Sequence, residues 1–183
     1  MTLFTATVLT AGSLLFLGIG LFCKNTSLKQ LALGLLRSHV TAIVVFGAAT
    51  AGFLWQVAHL SAADFGNYRS VLFGAFLLIA VLSFVYVSDF LAVRGLAILI
   101  MLAASAVLDS AYMQTDYPQR LLLVSFVYVM IVVALYVGVA PFRMRDFLEW
   151  LFGSVSRCRL IGALLFIYGA LLAVSALSYE CVL

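Results

Sequence analysis

The feature that most constrains this chain is a recurring apolar run of about twenty residues, of which LFTATVLTAGSLLFLGIGLF (3–22) contains no Asp, Glu, Lys or Arg. At about 1.5 Å of rise per residue, a helix of that length crosses a hydrocarbon core of about 30 Å. Six such runs are legible: Leu3–Phe22, His39–Val57, Ser70–Val87, Gly95–Tyr112, Leu121–Val139 and Leu160–Leu177. Composition agrees, with 66% hydrophobic and 9% charged residues, whereas a soluble domain carries about a quarter charged. So few charges cannot coat one core, which leaves lipid to cover most of the surface. Without water, backbone polar groups must be satisfied within each segment, and helices do this most directly. Pro118 and Pro141 both fall outside the runs. A β-barrel would need segments of about ten residues alternating apolar with polar, and these runs are longer and apolar on every side. The expected fold is all-α: a polytopic helical membrane protein, one integral membrane domain over 1–183, with six transmembrane helices and two interfacial amphipathic helices.

Basic residues give the path a direction. Lys24, Lys29, Arg37, Arg94, Arg143, Arg145, Arg157 and Arg159 fall in the first, third and fifth connections, and only Arg69 and Arg120 lie on the other side. Over short loops that split marks the cytoplasmic face and sends both chain ends to the non-cytoplasmic side. The outer side carries Asp64, Asp109, Asp116 and Glu180, with Tyr68, Tyr112, Tyr117 and Tyr179 as headgroup-level anchors. The tightest connection is SDFLAVRG (88–95), where Asp89 and Arg94 mark a turn at the interface. Held in mid-membrane instead, each charge would cost roughly 2.5–3.5 kcal/mol.

Two inner connections exceed a turn. KNTSLKQLALGLLRS (24–38) places Leu28, Leu31, Ala32 and Leu35 at helical spacing behind the capping candidates Asn25, Thr26 and Ser27. That triplet also matches a glycosylation sequon, but on the cytoplasmic side. PFRMRDFLEWLFGSVSR (141–157) opens on a proline suited to a helix start, pairs Arg145 with Glu149, and offers Phe147, Leu148, Trp150 and Leu151 as apolar contacts. Both segments are expected to lie in the inner interface, basic residues toward anionic headgroups.

A shift of 120 residues pairs Phe22 with Phe142, Leu28 with Leu148, Leu31 with Leu151, Arg37 with Arg157 and Phe46 with Phe166. The implied repeat is span, interfacial helix, span. Residues 132–178 combine Gly138, the basic-aromatic PFRMRDFLEWL and the Arg-flanked, Gly-containing RCRLIGALLFIYGALL. In these features the segment resembles the small bacterial inner-membrane hairpins called YjeT-like. The resemblance covers a quarter of the chain and implies architecture and a bacterial inner membrane, since that family has no assigned activity.

Several chemistries are disfavoured by what the residues are and where they fall. A formal charge of +3, scattered along the chain, gives no nucleic-acid footprint. Cys23, Cys158 and Cys181 show no Cys-x-x-Cys pair and no histidine at ligand spacing, so three thiols near helix ends are expected and no metal site. The first run lacks a basic leader and is long for a signal peptide, Phe22 does not suit lipoprotein cleavage before Cys23, and the terminal ECVL misplaces its cysteine for prenylation. A retained first helix is expected. His39 and His59, the two histidines, stand twenty positions apart on one helix, at opposite membrane faces. They cannot share an iron, and no cofactor is expected. Catalytic motifs such as HExxH or a phosphate loop are missing, and no enzyme activity is expected.

Span interiors lack charge except near Asp109, a turn inside Tyr112. Asp109, with His59 or Arg120, and the pair Asp89–Arg94 are the candidate polar sites; their alternative role is headgroup-level contact with water. Candidate helix-packing residues are clearer: Gly162, Gly169, Ala173 and Ala176 on one face of the last span, and Ala48 with Gly52 in the second. Small side chains let helix backbones approach where lipid removes the hydrophobic advantage. The phenylalanines of the third span, Phe73, Phe76 and Phe84, are expected to meet lipid. Small loops and uncharged interiors favour a scaffold, assembly factor or accessory subunit without catalysis of its own, partnered by lipid and other membrane subunits. The alternative is a small transporter or channel using the outer acidic rim.

Overall fold

The computed structural model describes residues 2–23, 30, 34, 38–61, 65–86, 90–114 and 117–180. Among these, seven α-helices follow one another: α1 Leu3–Phe22, α2 His39–Ala58, α3 Arg69–Tyr86, α4 Leu91–Ala111, α5 Arg120–Val139, α6 Phe142–Phe152 and α7 Val155–Glu180. Six are long and apolar enough to cross a membrane, α6 being the exception. The expected interfacial helix over 24–38 lies outside the described residues apart from Gln30, Gly34 and Ser38.

Local chemistry sets several boundaries. Thr2 caps α1 reciprocally with Thr5, its hydroxyl accepting from the Thr5 N–H at 3.3 Å while the Thr5 hydroxyl receives the Thr2 N–H at 3.1 Å. Ser38 caps α2 through the Thr41 N–H at 3.3 Å. Such caps satisfy donors that a helix start leaves open. Pro141 immediately precedes α6, where its missing N–H is harmless. Within the long helices, hydroxyls bond back to carbonyls of their own turn: Thr7 to Leu3, Thr10 to Ala6, Ser83 to Ile79, Ser125 to Leu121 and Ser175 to Leu172. In an apolar medium this satisfies a hydroxyl without a second helix.

Helices α1 and α7 form the most extensive pair and run antiparallel, Gly18 meeting Gly162 and Leu14 meeting Gly169. Leu3, Ala6 and Tyr179 consequently share one cluster with Leu14, Ala111, Leu123 and Leu172, so the start of α1 and the end of α7 sit at the same end of the bundle. A second cluster joins Ala42 and Phe46 of α2, Ala80 of α3, and Leu91 and Ala92 of α4. Helix α4 connects the two halves, packing on α2 and α5 and touching α1 more lightly.

Three expectations change. Residues 91–95 are helical rather than part of the third connection, because Leu91, Ala92, Val93 and Gly95 are buried against their neighbours and that burial prolongs α4. Arg94 therefore lies in the first turn of α4, and Arg157 and Arg159 likewise lie within α7, which starts five residues before the expected Leu160. Phe76 and Phe84 turn toward α2, meeting Phe53 and Phe46 edge-on at 5.0 and 5.1 Å, while Phe73 stays exposed. Of the residues that carry the 120-residue repeat, Leu28, Leu31 and Arg37 lie outside the described residues; the helices it matches, α1 with α5 and α2 with α7, are not exchanged by a twofold, since α7 packs on α1 while α2 packs on α4 and α3.

Candidate functional site

At the C-terminal end of α2, the His59 backbone N–H bonds the Gln56 carbonyl, and its ring folds back over Trp55 at a centroid distance of 4.4 Å. Its Nδ1 lies 2.8 Å from the Trp55 carbonyl oxygen, which can only accept, so Nδ1 carries the proton there. The imidazole is thus held by its own helix. Asp109 is exposed on the last turns of α4. Arg120, its expected partner, instead donates through a guanidinium nitrogen to the Ala111 carbonyl at 2.9 Å, at the negative end of α4. Among the described residues no ion pair or hydrogen bond joins Asp109 to His59 or Arg120. Asp64, Asp116 and Asp89 lie outside the described residues. Arg94 is half-buried, and no group of three His, Cys, Asp or Glu side chains comes together among the described residues.

Polar contacts are denser at the opposite end, where α6 meets α7. Arg145 donates to the Glu149 carboxylate at 2.8 Å on the exposed face of α6, and this bond raises the Arg145 pKa above its ordinary value. Arg157 reaches back to the Trp150 carbonyl at 3.2 Å and lies over the indole at 4.8 Å. Buried Cys158 directs its sulfur to the Leu151 carbonyl at 3.1 Å. These contacts fix the corner that turns α6 into α7.

Helix contacts depend on small residues, some expected and some not. A Cβ on Gly162 would fall 2.9 Å from the Gly18 carbonyl oxygen, and one on Gly18 would fall 2.9 Å from that of Gly162. A Cβ on Gly169 would fall 3.1 Å from Leu14 and Leu15 atoms, Ala176 is buried and Ala173 is half-buried beside them. On α2, a Cβ on Gly52 would fall 3.0 Å from the Leu102 side chain, but Ala48 is exposed and its neighbour Ala49 is the buried one. Between the described long helices Gly95 admits the closest approach, since a Cβ there would stand 2.7 Å from the Phe46 Cα. Sequence reasoning did not single out Gly18, Ala49 or Gly95. For Gly18 a signal exists in its seven-residue spacing from Ala11, which repeats one helix face; for Gly95 none does, because the closeness belongs to the partner backbone.

Two apolar grooves open on the surface. One, of about 290 Å³, runs between α2, α3 and α4 beside Phe46, Phe53, Phe76, Ile79, Ser83 and Ile98. The other, of about 280 Å³, follows the α1–α7 seam past Gly18, Ile19, Phe22, Ala163, Phe166 and Ile167. Of the six long helices α3 is the least buried: Ala80 is its single buried residue, and it packs chiefly on α2. No family model, curated protein or solved structure matches the chain.

Proposed function

We propose that this chain is a multi-pass scaffold, assembly factor or accessory subunit of a membrane complex, without catalysis of its own, in a bacterial inner membrane. The observation that carries the reading is α3. Leu77, Leu78, Ile79, Val81, Leu82 and Val85 are all exposed on a helix held almost entirely by one neighbour, with an apolar groove along its flank. Within lipid, helices associate through close packing and not through apolar area alone. A rim helix with an unfilled groove is a surface on which another subunit's helix gains such packing. Helix α6 is amphipathic, and the arginines around it, Arg143, Arg145, Arg157 and Arg159, support a position in the cytoplasmic interface, with Trp150 and Phe147 toward acyl chains. The charge split over the connections supports an orientation with both ends of the chain on the non-cytoplasmic side.

Ser83→Phe tests the docking surface by filling the α2–α3–α4 groove. After gentle detergent extraction, the wild-type chain should carry a stoichiometric membrane partner that Ser83→Phe loses while remaining folded. A wild-type chain recovered alone as a monomer would count against the accessory role. Orientation is read separately with a membrane-impermeant thiol reagent, which should reach Cys181 in intact cells and Cys23 only after permeabilisation. Cys158, buried at 5% exposure, should stay unlabelled in both.

A further inference from the structure

The seam groove differs from the one beside α3 in what stands at its mouth. Its α7 wall is Ala163, Phe166 and Ile167, and Arg159 precedes Ala163 by one helical turn on that same face. A helical side chain leans toward its own helix's N-terminus, so the Arg159 guanidinium is carried away from the groove and toward the membrane surface. Arg159 is exposed, and among the described residues no hydrogen bond, ion pair or ring contact engages it. Arg157, by contrast, is occupied by Trp150. Opposite, Gly18, Ile19 and Phe22 form the α1 wall, which ends at Cys23. A volume of about 280 Å³ is at the lower limit of drug-sized ligand sites, about 300–1,000 Å³, and its walls carry no polar side chain able to orient a compact solute. An elongated apolar slot capped by an uncommitted arginine matches an amphiphile with a hydrocarbon tail and an anionic head.

We propose that this groove holds an acyl chain of an anionic phospholipid, with its phosphate bound by the Arg159 guanidinium. Arginine suits the role because its planar donors pair with phosphate oxygens in a fixed geometry, and basic pockets between transmembrane helices select anionic headgroups for this reason. The apolar walls accept any acyl chain, so selectivity between lipids resides in the headgroup contact. The glycines that bring α1 and α7 together leave Phe22 and Phe166 flanking the slot rather than closing it.

The full chain in nanodiscs of equal phosphatidylglycerol and phosphatidylcholine, released into native mass spectrometry, tests this directly. Wild type should retain phosphatidylglycerol in preference. Arg159→Gln should lower the ratio of retained phosphatidylglycerol to phosphatidylcholine about fivefold, the effect of roughly one basic charge at a membrane surface. Arg143→Gln, on α6, should leave the ratio unchanged, and Ala163→Phe should reduce retention of both lipids by filling the slot. An unchanged ratio in Arg159→Gln, or an equal fall in Arg143→Gln, would overturn the assignment. So would efficient Cys23–Cys23 crosslinking between chains in a Cys158→Ser/Cys181→Ser background, because a second copy would then occupy the groove. Arg159 is exposed and makes no internal contact, so its substitution leaves the fold intact even if Ala163→Phe does not.

Discussion

The α1–α7 seam and the α2–α3 rim are built from similar apolar sequence, and an apolar groove flanks each, yet the first closes backbone to backbone at its glycine crossing and the second does not. On the seam, Gly18 and Gly162 bring two backbones to within reach of each other's carbonyls, and Leu14, Leu172 and Ala176 are almost wholly buried. On the rim, α3 presents large aliphatic side chains in nearly every direction and buries only Ala80. The difference teaches that apolar character alone does not bind helices in lipid. What binds them is the removal of side-chain volume at the crossing point, which turns lipid-facing surface into dense van der Waals contact.

Breaking the closed side should have the largest effect. Gly162→Leu drives a side chain into the Gly18 backbone, and a loss of about 3 kcal/mol or more is expected, at the upper end of overpacking costs, read by denaturant unfolding in detergent. A variant of unchanged stability would mean that the two helices can slide apart without penalty. Gly95→Ala probes the α2–α4 crossing with a single methyl directed at the Phe46 backbone, and about 1–3 kcal/mol should be lost. Tyr179→Phe acts in the opposite direction. The Tyr179 hydroxyl is buried beside Thr7 and Ser175 but is in hydrogen-bond geometry with neither. Removing an unsatisfied buried group should stabilise the protein by about 1 kcal/mol, and a destabilised variant would show that the hydroxyl has a bridging partner. The smallest effect belongs to the open side. Leu78→Ala, at a residue 60% exposed, should change stability by less than about 0.5 kcal/mol. Should it weaken capture of a partner subunit at unchanged stability, the rim would be distinguished from surface that meets only lipid.

How much was legible follows the same division. Helix length and type could be read from Leu3–Phe22 or from Arg120–Val139 because lipid crossing imposes a run length that no other fold requires. The bend between α3 and α4 was legible in Asp89 and Arg94, but its extent was not, since only burial against α2 and α3 explains why helix resumes at Leu91. Gly162 stood out because small residues recur along its face. Its counterpart Gly18 did not, lying in a helix where Gly12, Gly18 and Gly20 compete for attention. Ala48 and Ala49 are chemically identical, and composition cannot say which of them faces a neighbour. Asp109 was legible as an acid near a helix end, yet Arg120 is drawn to the Ala111 carbonyl and away from Asp109, a choice made by the position of a helix end.

By itself the sequence determined the all-helical class, the six helices long and apolar enough to cross a membrane, and the uneven spread of basic residues over their connections, because each depends on sums over residues that no packing arrangement can alter. Tertiary structure alone decided which helices pair, which glycine meets which carbonyl, and which helix is left at the rim. Those outcomes depend on the rotation and register of one rod against another. Among near-uniform apolar surfaces, these are settled by close contacts between residues far apart in the chain, as Gly18 and Gly162 are at 144 positions and Leu14 and Gly169 at 155.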